Sequence, residues 1–266
     1  MKIRSLAFML MTIGYLLAGI CVSGAEILNG CKEYYYAIVE SSTGKILKQE
    51  GNVSASERYA PCSTFKIPLA LIGYDTNVLK DENSPLIPYD KKYPAPLESW
   101  KSEQTPKNWI KNSCVWYSQE IVERMGMEKI KKYLADFKYG NQDMSGGNPH
   151  SWLGASLEIS PEEQIAFMRK MLNGKLPLQA SSFEKTRKIL YIETFDNGVN
   201  FYGKTGTGNS RNTSVGWFAG WVEKGKKAYI VLMFLKNYKP CGDALPGGPA
   251  AKKKCRELIL ESVCPE

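Results

Sequence analysis

Ser63-Thr64-Phe65-Lys66 sets a hydroxyl and an amine three residues apart, just before the apolar run Ile67–Ile72. A helix starting near Ser63 would place both on one face. Its free N–H groups would favour negative charge developing beside Ser63. A serine hydroxyl becomes a nucleophile once a base takes its proton. Lys66 can be that base only if desolvation lowers its pKa, and Phe65, Ile67 and Leu69 offer an apolar setting. Pro68 strains a regular helix so close to that start. By itself the pattern equally fits an N-cap serine with a solvated lysine.

Three further stretches carry usable groups. Lys204-Thr205-Gly206 offers a positive charge, a hydroxyl and a glycine that lets a ligand approach backbone; a turn with an exposed lysine explains the same tripeptide. Ser113-Cys114-Val115 precedes an amphipathic pattern, so Ser113 is either a proton relay or a helix N-cap. Tyr139-Gly140-Asn141 reads as a turn whose side chains can face a cleft, or as a plain loop. The one histidine, His150, lies in the loop-like Asn148–Ser151, a poor setting for a Ser-His-Asp triad or a zinc site.

The positioning elements follow from periodicity. Tyr34–Glu40, the turn Ser42–Gly44 and Lys45–Gln49 read as a hairpin. Ser214–Val222 and Ala228–Leu235 read as strands, the second apolar enough to be buried on both faces. Between them lie helical signals. Ile130, Tyr133, Leu134 and Phe137 keep helical spacing, and Ser160–Glu163 forms a capping box that opens a helix ending near Asn173-Gly174. A last helix is expected over about Ala251–Ser262, with Leu258 and Ile259 inward. The fold class is α/β of the α+β type: a mainly antiparallel sheet flanked by helices, with an inserted all-helical region. Residues 26–62 and 185–266 would form the sheet domain, and 63–184 the helical region, with the site at their interface.

Residues 1–25 read as a secretory signal: Lys2 and Arg4, an apolar core from Leu6 to Val22, then Ser23, Gly24 and Ala25. An uncleaved anchor is the alternative. No later segment is apolar enough to span a bilayer, so no membrane association is expected after cleavage, and export points to the periplasm. Of the net charge of +8, about +6 remains without the leader. The lysines are scattered, with no nucleic-acid-binding motif, so nucleic acid is not an expected partner and a small anion is. Six cysteines remain, Cys31, Cys62, Cys114, Cys241, Cys255 and Cys264. Cys62 and Cys114 read as packing residues; Cys31 and the C-terminal three are the candidates for disulfides.

The four motifs, which run along the chain as Ser-x-x-Lys, Ser-x-Val, Tyr-Gly-Asn and Lys-Thr-Gly, resemble the penicillin-recognising serine enzymes. Ser-x-Val in place of Ser-Asp-Asn, with Tyr-Gly-Asn and the downstream Ser151-Trp152-Leu153, is similar to the class D, oxacillinase-type β-lactamases. The resemblance covers essentially the whole mature chain, including Gly216–Trp221, and implies a β-lactamase/transpeptidase-like fold. It implies that Ser63 attacks a β-lactam carbonyl, with the Ser63 and Thr207 backbone N–H groups as oxyanion hole. Ser113, helped by Lys204, would pass a proton to the leaving nitrogen. Lys66 would be carbamylated by CO2 or bicarbonate and act as general base; no metal or other cofactor is implied. Trp152 would hold that group, with Val115 and Leu153 as an apolar lid. Thr205, Gly206, Tyr139 and Asn141 would contact substrate. Where the family places a carboxylate-binding arginine, this chain has Lys252, a point charge rather than a fork. A penicillin-binding transpeptidase or carboxypeptidase, or a β-lactam sensor, shares the acylation chemistry and remains the alternative. Substrate spectrum and oligomeric state are left open.

Overall fold

The structure is a computed structural model and describes residues 33–239 and 245–263. The expected leader, Cys31, Cys241 and Cys264 lie outside the described residues. Six strands, β1 (Glu33–Glu40), β2 (Ile46–Gly51), β3 (Tyr191–Thr194), β4 (Asn200–Ser210), β5 (Thr213–Lys224) and β6 (Lys227–Lys236), form one sheet. Its order is β2-β1-β6-β5-β4-β3, and every pairing is antiparallel. The N-terminal hairpin thus joins strands from the C-terminal part of the chain, in the α+β class expected.

The central strands are buried on both faces because residues of each parity find a separate core. Tyr35, Ala37 and Val39 of β1 join Trp217, Ala219 and Phe234 against the helical region. Tyr34, Tyr36 and Ile38 join Phe218, Val231 and Met233 on the other face. There α7 (Gly247–Ser262) packs Ala251, Cys255, Leu258 and Ile259 inward. This helix begins four residues earlier than its apolar spacing suggested, since Gly247 and Gly248 fit against Gly216 and Gly206, where a Cβ would meet backbone. Cys255 is fully buried in that core as a free thiol, which corrects its expected place in a disulfide; it serves as a small apolar filler.

The middle of the chain supplies α1 (Lys66–Asp75), α2 (Pro106–Asn112), α3 (Val115–Met125), α4 (Met127–Phe137), α5 (Pro161–Leu172) and α6 (Ala180–Leu190). Position 185 lies inside α6, which packs on α1, so the helices run on to Leu190. The capping box at Ser160 forms as read, with Glu163 bonded back to the Ser160 backbone. Among the described residues no helix is long and apolar enough to cross a membrane.

Candidate active site

β3 covers β4 only from Asn200 to Tyr202, so the side of Gly203–Ser210 away from β5 is a sheet edge without a strand neighbour among the described residues. Against that edge sits a 3-10 turn, Cys62–Phe65, that carries Ser63. Gly206 is what allows the approach: a Cβ there would lie 2.8 Å from the Pro61 carbonyl oxygen and 3.3 Å from the Thr64 nitrogen. The turn is held from several sides. Trp217 Nε1 donates to Ala60 O at 3.0 Å, and Ala60 N donates to Ser210 Oγ at 3.0 Å. Thr64 Oγ1 donates to Pro61 O at 2.7 Å and accepts from Gln164 Nε2 at 2.9 Å.

Ser63 therefore precedes the α-helix instead of opening it; α1 begins at Lys66, which continues the turn. Pro68 falls in the first turn of α1, where a missing N–H costs little. Lys66 is fully buried, and its Nζ donates to Ser63 Oγ at 3.2 Å. Burial lowers its pKa to about 8. The neighbouring thiols lend it no counter-charge, because burial pushes Cys62 up to about 12 and Cys114 up to about 11. Both were expected as packing residues and both are buried free cysteines.

Ser113 caps the C-terminus of α2 in the left-handed region, with φ 54°. Cys114, not Ser113, takes the N-cap position of α3 and makes no side-chain cap. The Ser113 backbone conformation is costly for a non-glycine residue and places its hydroxyl 3.1 Å from Lys204 Nζ, which donates to it. Lys204, 4% exposed, also donates to Thr205 O and Thr205 Oγ1 at 3.0 and 3.2 Å. Its pKa lies well below the lysine range through burial, then repulsion from Lys66 and Lys252. Two buried amines thus approach two serine hydroxyls, Lys66 to Ser63 and Lys204 to Ser113, an arrangement that can move protons between amine and hydroxyl.

Thr207 lies on the same edge, its Oγ1 accepting from Gly248 N at 2.9 Å. Val115 opens α3 and Leu153 closes a 3-10 turn, His150–Leu153; both are partly buried against the core. Trp152, in that turn, is fully buried and stacks on Phe65 at 5.2 Å. Its indole nitrogen is buried with no hydrogen-bond partner. Lys252 shares a cavity wall with Lys204 and Thr205. His150 is exposed, outside this constellation.

Tyr139 and Asn141 do not face the cleft. Tyr139 is fully buried, edge-on to Phe167 at 5.0 Å and beside Phe65 at 5.8 Å, which corrects its expected contact with substrate. Burial holds its phenol far above the usual range. Asn141 staples its own loop, donating to Ser156 O at 2.7 Å and accepting from Asp143 N and Glu158 N. Gly140, at φ +53° and with Glu158 O where a Cβ would stand, makes that crossing possible. Gln164 and Thr64, which brace the nucleophile from behind, were not singled out from sequence, where a glutamine on a helix gives no signal.

The transpeptidase domain of penicillin-binding proteins, as a family model, matches residues 35–259. The β-lactamase OXA-1 of Escherichia coli is 39% identical over 88% of this chain and 85% of its own length. The chain belongs to the class D β-lactamases. The β-lactamase OXA-9 of Klebsiella pneumoniae is 34% identical over 84% of each chain. The crystal structure of the class D β-lactamase OXA-427 superposes with a TM-score of 0.79 at 34% identity, covering 86% of this chain and 98% of that one. This class D enzyme is thus a hydrolase of β-lactams.

Proposed function

We propose that the enzyme opens penicillin-type β-lactams by acylating Ser63, with Lys66 carbamylated and serving as the base. The observation that carries this reading is a buried lysine without a counter-charge, 3.2 Å from the nucleophile, with an indole that stacks on the adjoining Phe65 and whose N–H has no acceptor. Such a setting suits the group: carbamylation needs the neutral amine that burial favours, and it would supply an acceptor for Trp152. Trp152 would hold it, with Val115 and Leu153 walling it from water. When present, the carbamate supplies a carboxylate-like oxygen able to accept a proton.

The chain's own residues then act in sequence. Ser63 Oγ gives up its proton toward the Lys66 side and bonds to the β-lactam carbonyl carbon. The backbone N–H groups of Ser63 and Thr207 would meet the oxyanion, each such donor contributing about 3–4 kcal/mol to the transition state. As the ring C–N bond breaks, the Ser113 hydroxyl delivers a proton to the nitrogen and recovers one through Lys204, so that the proton taken from Ser63 passes to the ring nitrogen and the Lys66 side is again free to accept one. Water then adds to the ester carbonyl as its proton is taken on the Lys66 side, and that proton returns to Ser63 Oγ as the acyl C–O bond breaks, releasing the acid and freeing Ser63. Thr205 and Lys252 would bind the substrate carboxylate. Export by residues 1–25 would place the enzyme in the periplasm.

The test is Lys66→Ala together with carbon-13 NMR of the wild type in labelled bicarbonate. Loss of turnover in the variant and a carbamate resonance absent from it are expected. An active Lys66→Ala enzyme would overturn the mechanism.

A further inference from the structure

A cavity of about 400 Å³ opens between α2, α6, β3, β4 and α7. Five lysines line it: Lys107 and Lys111 from α2, Lys188 from α6, Lys204 from β4 and Lys252 from α7. Among the described residues no carboxylate lines it. Lys107 and Lys111 are four apart on one helix face, so they reach the cavity together. Lys204 is committed to Ser113 and Thr205. The side chains of the other four lysines have no ion-pair or hydrogen-bond partner among the described residues. On α4, by contrast, Lys131 and Lys132 pair with Glu128 and Asp136.

Like charges converging on a concave surface repel each other, and apolar walls such as Ile110 and Ile189 focus their field. An anion with more than one charge relieves that repulsion. The charged donors are ammonium groups arriving from three helices, with no guanidinium fork among the described residues. Point charges from several directions suit a tetrahedral oxyanion, whereas a planar carboxylate is better matched by arginine.

We propose that this cavity binds a small multivalent oxyanion of the phosphate class, either inorganic or as a phosphate ester. The site is separate from the acylating serine and shares only Lys204, Thr205 and Lys252 with the cleft. An occupant therefore competes with the substrate carboxylate for Lys252, raising KM for penicillin with little effect on kcat.

The experiment is calorimetric titration of the full chain with inorganic pyrophosphate, at constant ionic strength. One site is expected. The Lys107→Gln/Lys111→Gln/Lys188→Gln variant should bind at least about tenfold more weakly, since removing even one charge-assisted hydrogen bond weakens binding by about that factor. The same variant should keep its benzylpenicillin turnover and lose inhibition by pyrophosphate. Phenyl phosphate binding more tightly than pyrophosphate would assign the site to an ester, and the reverse to the inorganic anion. A Lys131→Gln/Lys132→Gln variant, which removes charge from α4, should bind as the wild type does. Equal binding by the wild type and the cavity variant would overturn the proposal, as would equal weakening in both variants or malonate binding as tightly as pyrophosphate. Calorimetry reads the site directly, so a failure here leaves the hydrolytic reading untouched.

Discussion

Replacing Trp152 with phenylalanine tests what the orphaned indole nitrogen is for. In the bare-lysine state that N–H has no partner, so Trp152→Phe breaks no hydrogen bond and costs only packing against Phe65. That cost is about 1–2 kcal/mol, less than the roughly 3–5 kcal/mol of truncation to alanine. In the carbamylated state the wild type would gain a charge-assisted hydrogen bond of about 1.5–3 kcal/mol that the variant lacks. The carbamylation equilibrium should then fall by about 10- to 150-fold. Lys66 itself is unaltered: with its pKa at about 8 instead of 10.5, roughly a tenth is neutral at pH 7, against about one part in three thousand for a solvated lysine. The assay is benzylpenicillin turnover against bicarbonate concentration. The variant should need correspondingly more bicarbonate for half-maximal rate and recover much of its activity when bicarbonate is high. An unchanged bicarbonate dependence would refute the assignment of Trp152.

Three other outcomes follow from the same geometry. Burial holds Lys66 at about 8 when folded and 10.5 when unfolded, so the unfolded chain binds the extra proton between those values and stability rises with pH across that window. In CO2-free buffer Lys66→Met should therefore exceed the wild type by about 3 kcal/mol at pH 7 in chemical denaturation, with the gap closing from pH 8 to 10.5. Lys252→Ala should raise KM for benzylpenicillin about fivefold and leave kcat in place, as expected for one partly exposed charge on a carboxylate; an unchanged KM would remove it from the site. Gly206→Ala should cut kcat by about a hundredfold in a steady-state assay, because its Cβ would stand 2.8 Å from Pro61 O and push the Ser63 turn off β4.

Patterns of fixed period and motifs with short internal spacing were the legible part of this chain. Residues of both parities in Ala228–Leu235 are apolar because both faces of β6 meet a core, one toward Phe234 and one toward Met233. Ser63 and Lys66 are three apart, and local backbone geometry alone brings them together. Ser113 and Lys204 are ninety-one residues apart; only the joint occurrence of four motifs linked them, and the structure brings them to 3.1 Å. What stayed hidden depends on how elements pack. Tyr139 has the composition of a cleft residue, yet its loop lies behind Phe65, so it fills the core. Cys255 lies in a helix whose inward face was inferred from Leu258 and Ile259, and that face buries the thiol as well. Lys107, Lys111 and Lys188 look like ordinary solvated charges until α2, α6 and α7 set them around one cavity.

The most direct test of the central claim is hydrolysis of benzylpenicillin by residues 26–266, with and without added bicarbonate, followed by intact mass. The account expects rapid turnover that rises with bicarbonate and no persistent adduct. A long-lived penicilloyl adduct on Ser63 without turnover would contradict it and mark the protein as one that binds penicillin without destroying it.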